Sequence, residues 1–141
     1  MADMAPTLYP TLRYRDARAA IAFLKDAFGF SEREVHANDD GTIAHAELTY
    51  GPSILMLGSD RDDPLYGKRA GQGWLYVAVE DPDDHCRRSR AAGAEIISEL
   101  RDTDYGSRDY AARDPEGNFW YFGTYRPTAE AVEATSAAAA D

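Results

Sequence analysis

His45 and Glu47 stand two residues apart in the alternating run 43–50, so both side chains leave one face of an extended strand. An imidazole beside a carboxylate is the arrangement of a general base held in a defined orientation. The same pair can equally line a cavity wall and hydrogen-bond a ligand or water. His85 falls in the first turn of a helix beside Asp83 and Asp84, which reads as a solvated position, and His36 adjoins the turn at 38–41 and reads as exposed. Three histidines so scattered make no three-ligand metal set. Cys86 is the single cysteine, read as a buried helix thiol because a nucleophile would need an exposed thiolate. Gly71-x-Gly73 is too short a glycine pattern to cradle phosphate. The remaining concentration of chemistry is aromatic. In the final run 118–125, Phe119, Tyr121 and Tyr125 share one face, and Trp120 and Phe122 the other. Flat π faces with polar tips suit stacking on a planar or cationic molecule. A ligand-free, aromatic-filled interior closed by dimerisation is the other reading.

These residues need strands and helices to hold them, and the chain spells the same order of elements twice. Residues 8–14 read as a strand ending at Asp16, whose carboxylate can cap a helix over 16–28 before the stop at Gly29. Strands are predicted at 30–35, 43–50 and 53–57, with Ala44, Ala46 and Leu48 on one face of the second and His45, Glu47 and Thr49 on the other. After the polar stretch 58–73, a strand at 74–79 leads to a second helix opened by Asp81-Pro82 and closed by Ala92-Gly93. Strands at 95–100, 107–113 and 118–125 follow, the last two joined by the tight turn 114–117. An internal repeat of one supersecondary unit implies two copies packed about a pseudo-twofold. The predicted organisation is an N-terminal extension at 1–7, a first βαβββ module at 8–58, a linker or lid at 59–73, a second module at 74–125 and a low-complexity tail at 126–141, of which 128–141 is expected to be disordered.

With 141 residues, 44% of them hydrophobic and 11% aromatic, the chain can bury a core without staples, and one cysteine excludes an internal disulfide. A net charge of −10 repels phosphate backbones, so nucleic acid is not an expected partner. No run approaches the roughly 18 apolar residues of a membrane span, and the start Met1-Ala2-Asp3-Met4 lacks the features of a signal peptide. A cytoplasmic protein without membrane contact is expected.

Several segments resemble, in order and spacing, the vicinal oxygen chelate superfamily, which includes glyoxalases, bleomycin-resistance proteins and extradiol dioxygenases. They are 9–16 with Ala20-Ile21-Ala22-Phe23-Leu24 and Phe28-Gly29-Phe30, then His45-Ala46-Glu47-Leu48 and Ile54-Leu55-Met56-Leu57. In the second half come Asp81-Pro82-Asp83-Asp84-His85, 91–96 and Asp114-Pro115-Glu116-Gly117-Asn118. The resemblance covers residues 8–125. It implies an α+β fold of two tandem βαβββ modules forming a cup-like eight-stranded barrel around a ligand cavity, and pairing into a homodimer.

Metal-dependent members with this layout place ligands on the first and last strand of a module. The matching positions here are Tyr9, Met56, Trp74 and Tyr121, none of which is a conventional ligand of a hard divalent ion. The resemblance with this departure implies a metal-independent, cofactor-free binder of a small organic ligand, of the kind that sequesters an aromatic or cationic antibiotic-like compound. Its expected ligand-binding residues are Tyr9, His45, Glu47, Met56, Trp74, Phe119 and Tyr121. The alternative is a lyase, isomerase or dioxygenase-like enzyme in the same cavity with His45 as candidate acid/base. A third is a subunit that only dimerises or regulates.

Overall fold

Both helices begin at the aspartates that the sequence marks as caps. The Asp16 carboxylate accepts the Ala19 N–H at 3.1 Å and opens α1 (Ala17–Phe28). Ala20, Ile21, Leu24, Ala27 and Phe28 form its buried stripe. Gly29 then takes φ 86°, a conformation strained for any residue with a Cβ, and the Phe30 N–H returns to the Leu24 carbonyl at 3.2 Å. Asp81 caps α2 (Pro82–Ala91) through the Asp84 N–H at 3.1 Å, and Pro82 sits in the first turn, where no amide proton is needed. The structure is a computed structural model that describes residues 5–130, so the expected disorder of 131–141 lies outside the described residues.

The strands are β1 (Thr11–Tyr14), β2 (Ser31–Ala37), β3 (Ile43–Tyr50) and β4 (Ser53–Ser59) around α1, then β5 (Trp74–Ala78), β6 (Glu95–Asp102), β7 (Arg108–Arg113) and β8 (Phe119–Gly123) around α2. They form two four-stranded sheets in the equivalent orders β1-β4-β3-β2 and β5-β8-β7-β6. In each, the first strand runs parallel to the fourth and the other pairings are antiparallel. The βαβββ unit is thus present twice in an α+β fold. The eight strands remain two sheets and do not close into one hydrogen-bonded barrel.

One face of each sheet and one stripe of each helix merge in a single core. Leu12, Tyr14, Leu55 and Leu57 enter it from the first sheet, and Tyr110, Ala112, Trp120 and Phe122 from the second. Phe28, at the end of α1, bridges the halves, with its ring centre 5.2 Å from Trp120 and 4.8 Å from Phe122. Arg88 on α2 donates to the carbonyls of Lys25 and Asp26, both at 2.9 Å, placing a cation on the C-terminal end of α1. The buried Asp114 carboxylate accepts the Tyr14 hydroxyl at 2.7 Å, the Asn118 amide at 3.0 Å and the Trp120 indole N–H at 3.1 Å. It also accepts the backbone N–H groups of Glu116 and Asn118. The turn 114–117 therefore fastens the second module to β1 of the first.

Three local expectations are corrected. β3 carries a register shift where Ala37 faces Ile43 but His36 faces His45, so Ala44 is extra and exposed, and Ile43 takes the buried place predicted for Ala44. The first strand begins at Thr11, which leaves Tyr9 ahead of it because Pro10 can donate no ladder hydrogen bond. Tyr125 lies past the end of β8. Among the described residues no helix is long and apolar enough to cross a membrane.

Candidate functional site

Because side chains alternate along a strand, burying one face of each sheet turns the other face outward. On the second sheet that open face is aromatic. Trp74 lies beside Phe119 and Tyr76 beside Tyr121 in the parallel β5–β8 register. The Trp74 ring centre is 5.8 Å from Tyr121 and 6.3 Å from Phe119. Trp74 is nevertheless 74% exposed and Tyr76 43% exposed. Arg113, opposite Phe119 on β7, lays its guanidinium 4.7 Å from the centre of that ring. Its Nε is buried without a hydrogen-bond partner.

The open face of the first sheet is polar. Thr11 and Arg13 on β1 face the same way as Met56 on β4 and Glu47 on β3, the latter two being register partners. His45 Nε2 meets Glu47 Oε2 at 2.9 Å. Arg33 reaches both Glu47 and Glu34. The hydrogen bond from His45 holds the Glu47 carboxyl below the usual range against partial burial, with Arg33 helping. Glu47 therefore stays anionic and orients the imidazole. His36 is exposed, as expected, and is bound to Glu34 at 2.9 Å.

The seven expected ligand-binding residues thus divide. Trp74, Phe119 and Tyr121 form one wall on the second sheet, and His45, Glu47 and Met56 cluster on the first. Tyr9 stands ahead of β1, exposed, and forms part of neither cluster.

The four positions expected to face a divalent ion carry Tyr9, Met56, Trp74 and Tyr121. Two of these, Trp74 and Tyr121, pack their rings on each other. The cross-strand partners of Met56 and Tyr121 on the first strand of each module are Thr11 and Tyr76, which supply no carboxylate or imidazole either. Among the described residues no group of three or more His, Cys, Asp or Glu is arranged to hold a metal ion. The donor set does not fit a divalent cation.

His85 overturns its solvated reading. It is 8% exposed, with Nε2 donating to the Phe28 carbonyl at 2.8 Å and Nδ1 2.5 Å from the Tyr110 hydroxyl, which in turn meets Ser89 at 2.7 Å. The carbonyl requires the proton on Nε2, so the neutral ring accepts from Tyr110 at Nδ1. Burial pushes the His85 pKa down, with the Phe28 bond opposing and Arg88 assisting. The signal was in the sequence: Pro82, His85, Cys86 and Ser89 fall at helical spacing and are the buried residues of α2. Cys86 is buried as expected, and burial raises its thiol pKa.

His85 also borders a cleft of about 710 Å³ between the edge of β5, the start of β4 and the C-terminal end of α1. None of the seven expected residues lines it. Its walls join core side chains such as Phe28, Leu75 and Trp120 to polar ones, Glu80, Asp84, Arg88 and Arg126, at the seam between modules. Sequence reading also missed Arg113. Alternation along β7 would have put it on the face opposite Tyr110 and Ala112, beside the aromatic wall.

A family model described as the Glyoxalase/Bleomycin resistance protein/Dioxygenase superfamily matches residues 7–122. The solved structure of TioX from Micromonospora sp. ML1 is 35% identical, with a TM-score of 0.72 over 86% of this chain and 99% of that one. The protein Mb0911c of Mycobacterium bovis is 30% identical over 128 residues, 86% of this chain and 84% of its own. A lactoylglutathione lyase from Agrobacterium tumefaciens, at 23% identity and a TM-score of 0.62 over 86% of this chain and 95% of that one, shares the fold. From residue 7 to residue 122, the chain belongs to the glyoxalase/bleomycin resistance protein/dioxygenase superfamily.

Proposed function

We propose that the protein is a metal-independent binder that sequesters a planar aromatic, antibiotic-like molecule on the Trp74–Phe119–Tyr121 wall. The carrying observation is that Trp74 packs at a tilt against Tyr121, ring centres 5.8 Å apart, while remaining 74% exposed, at positions where relatives would carry metal ligands. A large apolar surface held open in this way is a binding surface. Arg113 over Phe119 adds a flat cation to the wall. Each open face covers one side of a ligand, so the proposed unit is a cytoplasmic homodimer in which a second copy supplies the opposite wall. The modules at 8–58 and 74–125, with 59–73 as linker or lid, are the parts of this reading.

The test is calorimetric titration of planar aromatic natural products against wild type and Trp74→Ala/Tyr121→Ala, with and without chelator. Each stacking contact contributes on the order of 0.5–1.5 kcal/mol beyond area burial, so the double variant loses about fivefold or more in affinity. Equal affinity in both proteins overturns the aromatic wall, and binding abolished by chelator overturns metal independence. Sedimentation showing a monomer at high micromolar concentration overturns the dimer.

A catalytic reading is favoured by one observation, the 2.9 Å bond that orients His45 through Glu47. It requires turnover of a bound compound that His45→Ala abolishes while binding survives.

A further inference from the structure

The connecting segment 59–73 is organised by two aspartates. Asp60 accepts the backbone N–H groups of Arg61, Arg69 and Ala70 at 2.9–3.1 Å, which ties the two ends of the loop together. Asp63 accepts those of Leu65 and Tyr66 at 2.7 and 3.0 Å. Backbone amides thus occupy both oxygens of Asp60 and one of Asp63. The folded loop lies against β1 and encloses a recess of about 350 Å³, distinct from the aromatic wall and from the cleft between modules.

Three arginines line that recess, Arg13 from the floor and Arg61 and Arg69 from the loop. A guanidinium carries five N–H donors. Arg13 uses one on the Ser59 carbonyl at 3.3 Å and Arg69 one on the Gln72 side chain at 3.2 Å. Arg61 only approaches Asp63, at 3.7 Å. Arg13 is positioned by the absence of a side chain across from it. Its register partner is Gly58, where a Cβ would sit 2.7 Å from Arg13 Nη1 and 3.0 Å from the Ala44 carbonyl. The lining of the recess sets these three arginines against Asp60 and Asp63, so in a chain of net charge −10 it carries a local excess of positive charge with most guanidinium donors unspent.

We propose that this recess is a binding site for an oxyanion, a phosphate or carboxylate group on a small molecule, held by Arg13, Arg61 and Arg69. Forked guanidinium donors match two or three acceptor oxygens on one group, and the loop backbone is already ordered to present two of the three. The site stands independently of the aromatic wall.

The experiment titrates the full chain with inorganic phosphate, phenyl phosphate and benzoate at constant ionic strength, following amide NMR shifts of residues 60–73. Saturable shifts at millimolar ligand are expected, and comparison of the three probes shows whether phosphate or carboxylate is preferred. Arg61→Gln/Arg69→Gln, on the exposed loop, should weaken binding at least about tenfold. Arg13→Lys, which keeps the charge and loses the fork, should weaken it less. Trp74→Ala/Tyr121→Ala and the distant Arg87→Gln should bind as wild type does, which separates this site from the proposed function and from bulk charge. Absence of saturable shifts with all three probes overturns the proposal. So does unchanged affinity in the Arg61/Arg69 variant, or an equal loss in Arg87→Gln.

Discussion

Replacing Asp114 with alanine removes the acceptor that joins the modules, and the cost can be worked from its partners. The carboxylate is 3% exposed and takes three side-chain donors, from Tyr14, Asn118 and Trp120, besides two backbone N–H groups. Tyr14, Asn118 and Trp120 are themselves nearly fully buried, so water cannot replace the lost acceptor without opening the core. Each orphaned buried donor costs about 1–3 kcal/mol. The losses share one site and do not add fully, which brings Asp114→Ala to about 3–5 kcal/mol. Against a whole-domain stability of about 5–15 kcal/mol, that is enough to leave the protein marginal. Asp114→Asn keeps one acceptor oxygen but turns an NH₂ group toward other donors, and should fall between. Tyr14→Phe removes a single donor and should cost about 1 kcal/mol. Urea unfolding followed by tryptophan fluorescence measures all three, and the Tyr14/Asp114 double-mutant cycle isolates their coupling. A loss below about 1 kcal/mol for Asp114→Ala would refute the argument that this carboxylate holds the modules together.

His85 is buried neutral with its pKa pushed down, so the unfolded chain takes up the proton more readily; its contribution is complete above about pH 6.5 and is lost as pH falls from there through the folded pKa. The stability difference between wild type and His85→Gln, measured by urea unfolding at a series of pH values, should shrink on acidification; a difference independent of pH would contradict the buried neutral ring. Arg88→Ala uncovers the carbonyls at the end of α1 and should cost about 1–2 kcal/mol, read as a lower thermal midpoint. Gly71→Ala meets both a φ of +82° and a Cβ placed 2.7 Å from the Glu116 carbonyl, so a loss of about 1–3 kcal/mol is expected by the same assay.

The helices and the order of strands were legible because their determinants are local. Asp16 and Asp81 cap their own first turns, Gly29 stops α1 by its own φ, and the period-2 pattern in β8 separates Trp120 and Phe122 from Phe119 and Tyr121 without help from distant residues. That Tyr9, Met56, Trp74 and Tyr121 offer no carboxylate or imidazole was legible as well, since side-chain type alone decides which atoms can donate. Tertiary structure decided what depends on a distant partner. The bulge that exposes Ala44 arises in the pairing with β2, and burial of His85 arises because Phe28 and Tyr110 come from elsewhere to meet it. The recess under 59–73 could not be read from composition, for its lining residues come from β1 and from a loop whose ends Asp60 ties together. Above all, the two sheets that carry His45 and Trp74 bury their helix-facing sides in one shared core, and burial of that side is what turns both open faces outward.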